Sequence, residues 1–162
     1  MKEQYAIVLY ATDLSPGSRG VFRHALLTAR LHGARLFVLH VLPEVEEAVI
    51  QSVAAVMGQD NLINEERQHF DEKEEELRHR FLENNESGLQ TYLEEMKDAI
   101  EFAVSHGRPV AGILAFAKEV DADLIVIGAR RRGVMRPFFL GSVAGRLLRR
   151  SRRPVLVVPP EE

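Results

Sequence analysis

The chain has 162 residues, no cysteine and a formal net charge of −3 at neutral pH. That length suits one domain with a full hydrophobic core. The missing cysteines exclude a disulfide framework, a thiolate zinc site and a cysteine nucleophile, and make a reducing cytoplasm the expected setting.

Ala6–Ala11 (AIVLYA) is a continuous apolar run, the pattern of a strand buried on both faces. Asp13 interrupts it too early for a signal peptide. Ser15 is placed to cap a helix that Pro16 opens, with Phe22, Ala25, Leu26 and Ala29 as its apolar stripe and Gly33 as its stop. Ala34–Leu42 (ARLFVLHVL) reads as a second buried strand, closed by Pro43. From Glu44 to about Gly58 the pattern fits a short amphipathic helix or a mobile cover. Ile63, Phe70, Leu77 and Phe81 then recur at helical spacing in a very acidic background, so one narrow face packs and the rest meets water. Asn84-Asn85-Glu86-Ser87-Gly88 breaks this helix, and Leu89, Tyr92, Leu93 and Met96 resume a helical stripe.

Ile100, Phe102 and Val104 alternate with less apolar neighbours, the signature of a third strand near a sheet edge. Pro109 opens a helix carrying Val110, Ile113, Leu114 and Ala117. Leu124–Ile127 is a fourth strand ending in Gly128, Ser142 starts a last helix with Val143, Leu147 and Leu148, and Val155–Val158 is a fifth strand. Strands alternating with helices at this spacing imply a parallel sheet with helices on both faces. No repeat or linker divides the chain, so 1–162 is expected to form one domain, with a variable acidic helical segment at about 44–90. No apolar run approaches the ~20 residues of a membrane-spanning helix.

Charge is segregated along the chain. Residues 44–101 carry seventeen acidic against five basic residues, and 130–153 carry nine arginines with no acid. Such a field points to an anionic partner for the basic end. Nucleic acid is disfavoured, because no aromatics interleave with the arginines and no groove-reading module is present. The six histidines show no ligand spacing, and His40, within a strand, reads as a packed core residue. No activated serine is signalled, and no residue is a good general base.

In an open parallel sheet, ligands sit beyond the carboxyl ends of the strands. The loop after the fourth strand is the most informative one. It combines Gly128 at the strand exit, Arg130-Arg131-Arg132, Gly133 and a Gly141-Ser142 helix start. Glycine backbones, a helix N-terminus, a hydroxyl and guanidinium forks together suit a polyphosphate. The same residues also fit a capping serine with turn glycines. Val134 stands where a Walker A lysine would follow Gly133, and no G-x-G-x-x-G follows the first strand, which argues against P-loop and dinucleotide folds.

Taken in order, several pieces together resemble the universal stress protein family over nearly the whole chain. They are Thr12-Asp13-Leu14-Ser15, Leu39-His40-Val41, Gly107-x-Pro109, Ala122-Asp123-Leu124-Ile125-Val126-Ile127-Gly128, Gly141-Ser142 and Pro154-Val155-Leu156-Val157-Val158. The resemblance is least at 44–90. It implies an α/β, three-layer α/β/α fold of the adenine nucleotide alpha hydrolase-like type, with a five-stranded parallel sheet of order 3-2-1-4-5. It implies a homodimer through the last strand, Val155 to Val158, and, in one branch, ATP binding with G-x2-G-x9-G-[ST]. Gly128, Gly141 and Ser142 match that motif; Arg131 stands at the second glycine position, with Gly133 two residues on. Arg131 either crowds the cradle or grips a phosphate, and the retained Gly-Ser favours a working site.

By the same analogy Asp13 and Val41, with Ala11 and Thr12 beside them, receive the adenine end. Ile127 and Gly128 line the ribose and phosphate side. Arg130, Arg131, Gly133, Gly141 and Ser142 surround the phosphates, Val143 offers a backbone N–H, and Mg2+ can bridge phosphate oxygens. The expected function is an ATP-binding, dimeric, cytoplasmic stress-response or signalling module with at most slow hydrolysis. The alternative is a dimerising scaffold of the same family that binds no nucleotide.

Overall fold

The computed structural model describes residues 3–83, 88–129 and 140–159. Strand β1 (Ile7–Thr12) leads to helix α1 (Ser18–His32) and strand β2 (Arg35–Leu42). Helices α2 (Glu47–Met57), α3 (Gln59–Leu82) and α4 (Gln90–Met96) follow, then strand β3 (Ile100–His106). Helix α5 (Pro109–Glu119), strand β4 (Leu124–Gly128), helix α6 (Ser142–Arg150) and strand β5 (Val155–Val158) complete the order. The sheet runs β3-β2-β1-β4-β5 with every pairing parallel.

The unbroken apolar run of β1 is explained by its central place. Val8, Leu9 and Tyr10 are all buried, with successive side chains entering opposite cores. One core joins Val8, Tyr10, Val38 and Val126 to Phe22, Leu26, Leu77, Phe81 and Leu93 from α1, α3 and α4. The other joins Leu9, Leu39, Ile125 and Ile127 to Val110, Ile113, Ala144 and Leu147 from α5 and α6. β3 lies at the sheet edge, with Ile100 and Phe102 buried and Glu101 exposed. Asp123, just before β4, accepts the N–H groups of Ala6 (2.7 Å) and Ile7 (3.0 Å) through Oδ2 and so sets the start of β1.

Two local expectations change. Helix α1 starts at Ser18, not at Pro16, and Ser15 is not its cap. Ser15-Pro16-Gly17-Ser18 instead forms a turn closed by the Ser18 N–H on the Ser15 carbonyl at 3.0 Å. Proline suits the second position of such a turn as well as it suits a helix start. The acidic segment is largely helical in its described part, with Gly58 separating α2 from α3, but its apolar stripe is buried only at one end. Leu77 and Phe81 are buried in α3, whereas Ile63 is 53% exposed and α2 buries no residue. The break at 84–87 lies outside the described residues.

Candidate nucleotide site

Strand order reverses at β1: β2 and β3 lie on one side of it, β4 and β5 on the other. The connections after β1 and β4 therefore leave in opposite directions and open a crevice at the strands' carboxyl ends. A cleft of about 640 Å³ lies there, within the usual range for small-molecule sites. Ala11, Thr12 and Asp13 line it from the β1 exit and Val41 from β2. Ile127 and Gly128 line it from β4, and Gly141, Ser142 and Val143 from the start of α6. The expected site residues Arg130, Arg131 and Gly133 lie outside the described residues.

Each wall has a local cause. After β1, Thr12 Oγ1 accepts the Leu14 N–H at 3.0 Å, and Asp13 Oδ1 accepts the Ser15 N–H at 3.0 Å. Two side-chain turns in succession replace backbone pairing, and Leu14 is held at φ 59°, a conformation uncommon for leucine. The Asp13 side chain is thereby fixed at the rim, where it is exposed.

At α6, the residue in the cap position is Gly141, not Ser142, and no side chain caps the helix. Gly141 has φ 79° and ψ 159°, a region only glycine populates readily. The first helical bond runs from the Gly145 N–H to the Gly141 carbonyl at 3.1 Å. The N–H groups of Ser142, Val143 and Ala144 thus have no helix carbonyl to donate to, and they carry the positive end of the helix dipole. An anion is the natural complement to such an end.

The sequence reading missed four contributors. Gly112, inside α5, has no room for a side chain: a Cβ there would lie 3.0 and 3.1 Å from the two Val41 methyls. Its absence lets α5 press Val41 into place as an apolar wall. The available signal was an isolated glycine in a helical stripe, which is unfavourable unless packing requires it. Ile113 and Pro109 extend the same wall.

His40 is the fourth contributor. It is half-buried and lines the cleft instead of being sealed in the core. Its Nδ1 lies 2.9 Å from the Thr12 carbonyl. A carbonyl only accepts, so Nδ1 carries the proton and Nε2 of the neutral ring is an acceptor. Tyr10, also on the cleft wall, donates its hydroxyl to the Ser18 carbonyl at 2.8 Å, and burial pushes its phenol well above the usual range, so it stays neutral. Among the described residues, no group of three His, Asp or Glu side chains could hold a metal ion. No described helix is long and apolar enough to cross a membrane.

This arrangement joins a hydrogen-bonding apolar pocket to an uncapped helix start, at the point where an α/β sheet changes direction. Comparison with known proteins gives the family. The family model described as "Universal stress protein family" matches residues 4–159. The universal stress protein YxiE of Bacillus subtilis is 31% identical over 156 residues, covering 93% of this chain and 97% of the relative. A universal stress protein of Methanocaldococcus jannaschii is 25% identical over 161 residues, covering 98% and 97%.

Among solved structures, the universal stress protein UspA from Lactobacillus plantarum superposes with a TM-score of 0.67 at 22% identity, covering 97% and 99% of the two chains. A universal stress protein in complex with cAMP gives 0.56 at 22% identity, covering 96% and 98%. The protein from Archaeoglobus fulgidus in complex with dAMP gives 0.51 at 24% identity, covering 95% and 98%. With a family model spanning both ends of the sheet and the cleft between them, the chain belongs to the universal stress protein family.

Proposed function

We propose that this chain binds an adenine nucleotide of the ATP class in the cleft and acts by binding, as a dimeric stress-response or signalling module of the cytoplasm. The observation that carries this reading is the uncapped start of α6 behind Gly141, which shares one cleft with Asp13 and the Val41 wall. Val41, backed by Gly112, supplies an apolar face for a base. Asp13 and Nε2 of His40 accept hydrogen bonds from amino or hydroxyl groups. The amides of Ser142, Val143 and Ala144 suit phosphate oxygens, and Gly128 lines the same cleft. When present, Mg2+ would neutralise phosphate charge, bound mainly through phosphates and water. The cAMP and dAMP complexes of solved relatives support the ligand class.

A thermal-shift series with ATP, ADP, AMP and cAMP, with and without Mg2+, tests the proposal. A ligand at a hundredfold its dissociation constant adds about 2.7 kcal/mol to stability. For a chain of this size that raises the melting temperature by about 5–10 °C. No shift with any of the four at millimolar concentration would overturn the reading and leave a scaffold without a ligand.

The dimer contact proposed is along β5. This strand ends the sheet, and Leu156 on it is 37% exposed beside partly buried Val155 and Val157. An edge with unpaired backbone groups and an apolar side chain favours pairing with a second copy. Leu156→Arg should convert the dimer to a monomer in sedimentation velocity while leaving the circular dichroism spectrum intact. A parent chain that sediments as a monomer would refute the assignment.

A further inference from the structure

Helix α3 is fastened to the sheet mainly at one end. Of its 24 residues only Leu77 and Phe81 are buried, and α2 before it buries none. The fastened turn also carries Arg80. Its Nη2 donates to the Ser15 carbonyl at 3.1 Å and lies 3.4 Å from Ser18 Oγ. Ser15 and Ser18 both line the cleft. The Nε of Arg80 is buried and has no partner among the described residues. Leaving a buried guanidinium donor unmatched is unfavourable. The geometry is kept where the two serine contacts and the surrounding packing outweigh that loss.

One turn earlier, on the same face, stands Glu76. Its hydrogen bond from Lys73 (2.6 Å) holds the carboxyl below the usual range, and the nearby charges of Lys73 and Arg80 add to this. Glu76 and Arg80, at i and i+4, stand on the same face of α3, and Arg80 reaches from it to the cleft wall at Ser15 and Ser18. The turn between Thr12 and Ser18 is held from three directions. Its own Thr12 and Asp13 side chains hold it from within, Tyr10 holds it from the sheet, and Arg80 holds it from the acidic helix.

We propose that Arg80 is a positioning residue for the nucleotide cleft, and that through it ligand occupancy is coupled to the seating of the α2–α3 arm. This inference rests on the nucleotide reading of the cleft. The coupling follows from linkage. If the ligand needs the Thr12–Ser18 turn in its present shape, and Arg80 stabilises that shape only when α3 is seated, then ligand and seated arm stabilise each other equally. The exposed acidic arm thereby becomes the face on which occupancy can be read by a partner.

The test uses the full chain. Hydrogen exchange is followed in peptides covering 63–82, with and without saturating ATP, for the parent, Arg80→Met, Arg80→Lys and the control Arg67→Met on the exposed part of α3. ATP affinity is measured by calorimetry in parallel. ATP should slow exchange at 74–82 severalfold in the parent and in Arg67→Met. Arg80→Met should bind ATP about 5–20-fold more weakly, within the usual span of coupling energies. At saturation it should lose the ligand-dependent protection, and Arg80→Lys should recover part of it.

A parent that binds no nucleotide overturns the cleft reading and this inference together. A parent that binds ATP with no change of exchange in α3 overturns the coupling alone, and does so whether or not Arg80→Met folds. Unchanged affinity and unchanged protection in Arg80→Met do the same.

Discussion

Truncating Phe81 to alanine should destabilise the chain by about 3–5 kcal/mol, the usual penalty for emptying a buried phenylalanine site. Phe81 is fully buried although it sits on the most acidic helix of the molecule. Its ring lies 4.7 Å from that of Phe22 on α1 and 5.9 Å, edge to face, from that of Tyr10 on β1. Aromatic contacts of this kind add about 0.5–1.5 kcal/mol beyond area burial. The three rings form, with Leu77, the buried part of the contact between α3 and the sheet, and neighbouring backbone cannot collapse into the space without moving a strand. Urea unfolding should show the midpoint falling, and the melting temperature should drop by roughly 6–20 °C. Ile63→Ala on the same helix is the internal comparison. Ile63 is half exposed, so its truncation should stay within about 0.5 kcal/mol. Equal effects at the two positions would mean that the arm is not fastened at its C-terminal end.

How far the chain could be read without coordinates differs from element to element. β1, β2 and β4 were legible because burial on both faces demands an unbroken apolar run, and no exposed strand needs one. α5 was legible from Pro109 at its first position, where a missing N–H does no harm. The order β3-β2-β1-β4-β5 was not legible from periodicity, since which strand lies beside which is decided by non-local pairing. It came from family resemblance. The fate of α3 shows another limit. Helical spacing of Ile63, Phe70, Leu77 and Phe81 reports one face, but not whether the sheet extends far enough to cover it. It covers Leu77 and Phe81 and stops short of Ile63. His40 was misjudged for a related reason. Position along β2 reveals alternation, but only the third dimension reveals that the strand's end opens onto a crevice. Ser15 looked like a cap because serine before proline serves turns and helix starts equally, and the side chains of Thr12 and Asp13, two residues apart from their targets, decided for the turn.

Gly141→Ala should weaken nucleotide binding by at least about tenfold while lowering stability by about 1–3 kcal/mol, the strain of a side chain in that backbone region. At φ 79° and ψ 159° a Cβ meets the adjacent carbonyl oxygen, so the peptide entering α6 must rotate. That peptide sets where the N–H groups of Ser142 and Val143 point. Tenfold in affinity corresponds to only about 1.4 kcal/mol, so the misdirection of one charge-assisted hydrogen bond suffices. Calorimetry with ATP measures the affinity, and thermal unfolding without ligand, expected to fall by roughly 2–12 °C, measures the strain. Ser142→Ala separates backbone from hydroxyl: it leaves the amides in place and should reduce affinity less than Gly141→Ala. A Gly141→Ala chain that loses stability yet binds ATP as the parent does would remove the phosphates from the start of α6. The helix dipole would then have no part in holding the ligand, and the Val41 and Asp13 side of the cleft would have to account for binding alone.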